Sequence, residues 1–449
     1  MIPDTLLQSL QTTTGFDLDR FIEAHERDAP TSIRYNLQKI DLQNISFEKV
    51  LWSDHSYYLP ERPNFTIDPL FHAGCYYVQE ASSIFLEHVI RHLKTESNFE
   101  LALDACAAPG GKSTLLLDVL DEKTILVSNE IISSRANILI DNLTKWGNKN
   151  SMVTNSDTSK FKTLVSVFDL VVIDAPCSGS GLFRKDKEAI KEWSLHAVEQ
   201  CADRQEKIIE NLVGTLTQNG YLVYSTCSYS EKENEAICDY ILEVHGLSSI
   251  QIPFPKDWGI IEVQSNNHQA YGYRFYPNKV KGEGFFIAVF KQENGGKRIV
   301  PKQRGKRNFN TFQKAVLKDF LQLQKQEEII IKNNFIHCLD NSHLEIAEML
   351  SQHLHIRKLG IEIGELKGEN LIPSHALAMS KLIINDSIQR LEITREMALK
   401  YLRGENILIE NATNGWAIVC YLNHPLGWIK IIQNRTNNYY PKYSRILHY

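Results

Sequence analysis

Leu103-Asp-Ala-Cys-Ala-Ala-Pro-Gly-Gly-Lys-Ser113 is the stretch on which the fold turns. It follows an apolar run at 101–105 that reads as a strand, and it opens a helical pattern over 112–120. Small residues at Ala105, Ala107, Ala108, Gly110 and Gly111 leave the backbone open to close approach by a ligand. Gly111-Lys112-Ser113 matches the end of a P-loop. That pattern needs a glycine where Cys106 stands, and the fingerprint GxGxxG is absent too. A glycine-rich turn with an acid ending the next strand still implies a bound nucleoside. Glu130 stands there, near the spacing at which a carboxylate meets ribose hydroxyls. Asp157, after a third strand, is placed to contact an adenine amine.

Outward from that turn, strands and helices alternate. Strands are expected at 124–129, 152–154, 168–173 and 221–225, with helices over 133–145 and 196–217, the second ended by Asn219-Gly220. A further helix start is read at Glu231-Lys-Glu-Asn-Glu, and a closing strand pair at 274–276 and 285–290. This is βαβ grammar, predicting an α/β, Rossmann-like domain with a mostly parallel sheet over 76–292. Residues 1–75 form a small N-terminal α/β segment with a helix at 18–25, expected to touch RNA or substrate. A basic linker at 293–310 leads to a C-terminal RNA-binding region, 311–449. That region has a helix at 312–325 and later strands at 416–422 and 428–432, which suggest a small β-rich module.

No stretch approaches the roughly 18 apolar residues of a membrane span, and no secretory signal is visible. Eight scattered cysteines, none in a CxxC pair, fit reduced thiols in a cytoplasm and no metal site. The net charge of −5 hides a local excess. Lys297, Arg298, Lys302, Arg304, Lys306 and Arg307 fall together without an acid, the footprint of phosphate binding beside a catalytic module.

Two cysteines stand apart from the rest. Cys177, in Asp174-Ala-Pro-Cys-Ser-Gly, and Cys227, in Ser225-Thr-Cys-Ser-Tyr-Ser, each follow a strand and lie among turn residues. Most free cysteines are buried small hydrophobes, as fits Cys201, Cys238, Cys338 and Cys420. Two thiols brought to one sheet edge suggest nucleophilic catalysis. A thiolate adding to C6 of a cytosine makes C5 nucleophilic enough to take a methyl group. Asp174 is placed to hold the N3/N4 edge of the base. Enzymes that methylate an exocyclic amine need an Asp/Asn-Pro-Pro-aromatic loop here. Ala175 and Cys177 break that pattern, which favours carbon methylation.

Five ordered pieces resemble the NOL1/NOP2/Sun family of RNA cytosine-5 methyltransferases. They are Tyr76-Tyr-Val-Gln-Glu-Ala-Ser-Ser83, the turn at 103–113, the DAPCSGSG loop, the STCSYS loop and Arg274-Phe-Tyr-Pro-Asn-Lys-Val-Lys-Gly-Glu-Gly-Phe-Phe286. The resemblance implies a class I S-adenosylmethionine-dependent methyltransferase fold, with Cys227 as nucleophile and Cys177 assisting product release. It implies cofactor contacts from Cys106, Ala107, Ala108, Pro109, Gly110, Gly111, Lys112, Glu130, Asp157 and Asp174. Asn278 departs from the family, which often has histidine there, and its role stays open.

Gly360-Ile-Glu-Ile-Gly-Glu-Leu-Lys, Tyr401-Leu-Arg-Gly-Glu and Pro425-Leu-Gly-Trp-Ile-Lys resemble the PUA-like RNA-binding extension of bacterial small-subunit rRNA methyltransferases. That likeness implies 16S rRNA as partner and a decoding-region cytosine as target, and a cytoplasmic protein and a monomer are expected beside it. The rival readings are a tRNA cytosine-5 methyltransferase and a non-catalytic RNA-binding assembly factor. Trp416, Trp428, Tyr439 and Tyr440 are readable as core or as base-stacking surface, the two readings being even for the tryptophans.

Overall fold

The structure, a computed structural model, describes residues 2–43, 45–299, 310, 311, 317, 319–332, 334–368, 370–382, 384–409, 412–433 and 435–447. The chain opens with helices Asp4–Leu10 and Leu18–His25, the second capped by the Asp17 carboxylate accepting from the Arg20 amide. An antiparallel sheet follows, built from β1 (Thr31–Tyr35), β2 (Glu48–Lys49), β3 (Ser56–Leu59) and β4 (Tyr76–Val78), in the order β2-β3-β1-β4.

The next strands are β5 (Leu101–Asp104), β6 (Ile125–Asn129), β7 (Ser151–Thr154), β8 (Phe168–Asp174) and β9 (Leu216–Thr226). They pair in parallel, in the order β9-β8-β5-β6-β7. Alternate residues of one strand feed two cores. Leu101 and Leu103 join one cluster, with helices Leu195–Leu212 and Glu235–His245. Ala102 joins the other, with helices Phe85–Leu93, Gly111–Val119 and Ser133–Trp146. A sheet buried on both faces needs such unbroken apolar runs. The strand order reverses at β5, so a crevice opens where β5 and β8 end, the place such sheets bind ligands.

Four more strands, β10 (Ser248–Ser249), β11 (Ile261–Gln264), β12 (Tyr271–Phe275) and β13 (Phe285–Gln292), extend this sheet antiparallel beyond β9. A five-stranded sheet, β14 (Asn310–Thr311), β15 (Glu327–Lys332), β16 (Phe335–Asp340), β18 (Ile361–Lys367) and β19 (Asn370–Pro373), starts the C-terminal region. Between its members, β17 (Ile356–Leu359) leaves that sheet and pairs antiparallel with β7. The chain ends in a four-stranded sheet of β20 (Gln389–Glu392), β21 (Gly415–Tyr421), β22 (His424–Ile432) and β23 (Arg435–Asn438). No helix among the described residues is long and apolar enough to cross a membrane.

Several expectations are corrected. The long helix ends at Leu212, and β9 already runs from Leu216. Its register jumps from Phe168 opposite Leu216 to Leu170 opposite Tyr221. Asn219, at φ +63°, therefore carries a bulge within the strand rather than ending the helix. The acidic helix begins at Glu235, not Glu231. Of the helix expected at 312–325, residues 312–316 and 318 lie outside the described residues. Leu321 instead bridges Ile384 as extended chain. In the basic stretch, Lys302, Arg304, Lys306 and Arg307 also lie outside the described residues. Arg298 turns inward and donates to Asp169 at 2.9 Å and to Glu100, so it holds the fold and offers no free charge to phosphate. Trp428 and Tyr440 are core, whereas Trp416 and Tyr439 are half-buried and meet edge to face at 4.5 Å.

Candidate active site

The turn after β5 is shaped by Gly110, whose φ of +114° starts the helix Gly111–Val119, a conformation L side chains rarely adopt. Cys106, Ala107, Ala108, Pro109, Gly111, Lys112 and Asp174 line one cavity of about 150 Å³. Its other wall comes from β4 and the segment just after that strand, through Tyr77, Val78, Gln79, Glu80 and Ser83. Those residues belonged to a recognised motif, but nothing in their sequence marked them as site residues. Their position comes from β4 pairing with β1, whose Arg34 donates to Gln79 Oε1 at 3.0 Å and reaches the Gly111 carbonyl at 3.3 Å.

Beneath the turn, Asp104 is fully buried and accepts from Ser113 Oγ at 2.6 Å, while its Oδ1 has no hydrogen-bond partner. Burial pushes its carboxyl up to about 7. A buried carboxylate oxygen without a donor is rare and calls for a ligand or an ordered group. Glu130, 3% exposed at the end of β6, accepts from the Ile132 amide at 2.9 Å and pairs with Arg135 at 3.4 Å. Arg135 also donates to the Ala108 carbonyl at 2.7 Å, tying that carboxylate to the turn. Asp157 is exposed and caps the short helix Thr158–Thr163 by accepting from the Ser159 amide; the Ser159 side chain, then that amide, lowers its pKa. Neither acid lines the cavity itself. A glycine cradle, an orphaned carboxylate oxygen and an acid past the second strand fit the methionine and nucleoside parts of S-adenosylmethionine.

At the end of β8, Asp174 accepts from Lys112 Nζ at 2.7 Å and from Ser225 Oγ at 3.0 Å. The ammonium also lies 5.2 Å from the Phe285 ring centre. Burial would lower the Lys112 pKa, but Asp174 outweighs it and the net shift is upward. The pair is largely shielded from water, its side chains 11% and 35% exposed.

The two thiols meet. Asp174 stands opposite Ser225 in the β8–β9 ladder, so the loops after those strands carry Cys177 and Cys227 to one place, with Sγ atoms 2.9 Å apart. The hydrogen bond to Cys227, then burial, raises the Cys177 thiol well above its usual range. Cys177 therefore holds its proton, within hydrogen-bonding distance of the Cys227 sulfur. Burial also keeps Cys106 protonated, which removes it as a rival nucleophile. The loops lock through backbone: the Gly181 amide donates to the Cys227 carbonyl at 2.8 Å, and Gly284 donates to Gly181 at 3.2 Å. Asn278 lies half-buried in the turn after β12.

A cleft of about 820 Å³ shares Val78, Gln79 and Glu80 with the cavity and is lined further by Arg62, Arg184, Lys185 and Lys281. Asp28, Glu61 and Glu283 line it too, Arg184 pairs with Glu283 at 2.7 Å and Lys281 pairs with Glu48, so the cleft carries both signs of charge.

Three family models match successive parts of the chain. The N-terminal domain of 16S rRNA methyltransferase RsmF matches residues 2–81, 16S rRNA methyltransferase RsmB/F matches 91–291, and the methyltransferase RsmF PUA domain matches 389–446. The ribosomal RNA small subunit methyltransferase F of Aliivibrio fischeri (strain MJ11) is 30% identical over 468 residues, covering 98% of this chain and 97% of that one. The protein of the same name from Shewanella baltica (strain OS195) is 27% identical over 467 residues, covering 98% and 95%. Among solved structures, a methyltransferase homolog protein from Pyrococcus horikoshii superimposes with a TM-score of 0.52 at 25% identity, over 65% of this chain and all (100%) of that one. NSun6 from the same organism gives 0.52 at 18% identity, over 65% and 98%.

Proposed function

We propose, because this chain belongs to the RsmB/F family of 16S rRNA methyltransferases, that it methylates C5 of a cytosine in 16S rRNA by way of a covalent adduct at Cys227. The observation that carries this reading is the meeting of Cys177 and Cys227 beside Asp174, at the ends of adjacent parallel strands.

S-adenosylmethionine supplies an electrophilic methyl group, and residues 106–112 with Glu130, Asp157 and Asp174 are the residues assigned to hold it. Asp174, oriented by Lys112 and Ser225, hydrogen-bonds the N3/N4 edge of the base. Cys227, as the thiolate with its proton given up to solvent, bonds C6 through Sγ, and the electron pair of the C5–C6 double bond becomes available at C5. After C5 is methylated, its proton leaves to a base, the double bond re-forms and the C6–S bond breaks. Cys177, which keeps its proton, gives it to the departing Cys227 sulfur. The cleft that shares Val78, Gln79 and Glu80 with the cavity gives the RNA a path to the site, with the target base turned out of its stack. A decoding-region target, a monomeric state and a cytoplasmic setting belong to the same proposal. So does the division into an N-terminal substrate segment (1–75), a catalytic domain (76–292), a linker (293–310) and a C-terminal RNA-binding region (311–449).

The experiment is a trap. Cys177→Ala should accumulate a slow-migrating RNA–protein band, and Cys227→Ala should give neither band nor methylated RNA. A Cys227→Ala protein that methylates at the native rate would reject the nucleophile. Bisulfite sequencing of rRNA and tRNA from a deletion strain identifies the RNA: a lost 5-methylcytosine in tRNA alone would reject the rRNA substrate.

A further inference from the structure

Glu233 is fully buried just ahead of the helix Glu235–His245, and every group hydrogen-bonded to its carboxylate is a donor. Its Oε1 accepts from the Ser178 amide at 2.7 Å and from Gln205 Nε2 at 3.3 Å. Its Oε2 accepts from Ser178 Oγ at 2.5 Å and from Ser228 Oγ at 2.6 Å. Ser178 is the residue after Cys177 and Ser228 the residue after Cys227, so one carboxylate is bonded to the C-terminal neighbour of each cysteine.

Gln205 continues the brace. It donates from the same nitrogen to the Pro176 carbonyl at 3.0 Å, on the other side of Cys177. Tyr224 Oη donates to the Glu233 carbonyl at 2.7 Å, which fixes the backbone of the acid itself to β9. The Cys177 loop is thus held before and after its sulfur, and the Cys227 loop is held after. A carboxylate without charge compensation is expensive to bury unless several donors satisfy it. Four converge here, and none comes from a cation.

We propose that Glu233 is a positioning residue that fastens the two cysteine loops to one another and so sets the contact between the Cys177 and Cys227 sulfurs. The inference rests on the reading of those thiols as nucleophile and release group, but its geometry can be tested without RNA. The carboxylate does not touch the base. It acts through Ser178 and Ser228, and catalysis that needs both sulfurs in turn needs this register.

The test uses the full chain and its Glu233→Ala and Glu233→Gln variants, with three measurements. Affinity for S-adenosylmethionine is read by calorimetry, because that cavity is formed by other residues. The rate at which diamide oxidises Cys177 and Cys227 to a mutual disulfide, read by peptide mass spectrometry, reports how often the sulfurs meet. Single-turnover methylation of RNA reports the chemistry. Glutamine keeps the shape and an acceptor, and both serine hydroxyls can turn to accept from its amide. It should cross-link and methylate within about threefold of the native chain. Alanine should bind the cofactor normally yet cross-link and methylate at least about tenfold more slowly.

An alanine variant that binds cofactor and cross-links at the native rate would overturn the proposal. If alanine fails to fold, a Ser178→Ala/Ser228→Ala double variant, which cuts the hydroxyl links but keeps the acid, must cross-link more slowly, and an unchanged rate is the same refutation. Should Cys227→Ala prove active, the nucleophile reading falls, while the cross-linking rate still judges Glu233.

Discussion

Replacing Arg34 with methionine removes the cation that joins the N-terminal sheet to the cofactor turn. Its guanidinium has no exposed surface and donates to Asp118, to Gln79, to Thr114 Oγ1 at 2.6 Å and to the Gly111 carbonyl. Its plane lies 4.8 Å from the Trp146 ring centre. Methionine fills much of the same volume, so the cavity cost is small. The electrostatic cost is not. Asp118, 1% exposed, keeps only Trp146 Nε1 at 2.8 Å and His55 Nε2 at 3.5 Å. Breaking a buried pair from one side costs about 3–5 kcal/mol. At about 2 °C per kcal/mol, Tm should fall by roughly 6–10 °C. Differential scanning calorimetry measures this directly. Arg34→Met/Asp118→Asn should be more stable than Arg34→Met alone, because it removes the abandoned charge. A single variant melting within about 2 °C of the native chain, or a double variant no better than the single, would refute the reasoning.

Three further outcomes are expected. Gly181→Ala would put a Cβ 2.4 Å from the Gly284 carbonyl oxygen and 2.8 Å from that of Cys227, so the nucleophile loop must move. Methylation should fall by roughly 100-fold with cofactor affinity unchanged by calorimetry. Gly110→Ala forces a side chain to φ +114° against Leu139, and chemical denaturation should show a loss of about 1–3 kcal/mol together with weaker cofactor binding. Burial would raise the Glu87 carboxyl, but His55, Ser53 and the Asp54 amide outweigh it and bring it down to about 2, from 4.5. A carboxyl lowered on folding adds stability that is complete above about 4.5 and is withdrawn as pH falls toward about 2. The amount is about 3 kcal/mol, and Glu87→Gln should flatten that acid limb in denaturant titrations at stepped pH.

The catalytic sheet was legible because its strands are short apolar runs ended by turn residues, and a strand buried on both faces needs no partner to be recognised. Cys177 and Cys227 were legible for a related reason: thiols among Pro, Ser, Thr and Gly beyond strand ends are out of place as core. What the sequence hid depends on distant partners. Glu233 lies in an acidic run that reads as a helix start, and donors from Ser178, Gln205 and Ser228, gathered from separate elements, make its burial possible. Arg298 stands in a basic run, yet Asp169 and Glu100 take its charge. Leu216 and Thr217 kept helical periodicity, but pairing with Phe168 drew Leu216 into β9. Tyr77, Gln79 and Glu80 became cavity wall through strand pairing that no local pattern encodes.

β17, drawn from residues 356–359, covers the outer edge of β7 through backbone bonds, and Lys358 Nζ reaches Ser151 Oγ at 2.7 Å. A protein cut near residue 300 would keep every candidate catalytic group yet bare a row of unpaired amides and carbonyls, the kind of ribbon that recruits other chains into aggregates. The smallest continuous piece of this enzyme with that edge covered therefore reaches past residue 359, and insertions or fusions that disrupt 356–359 would expose it.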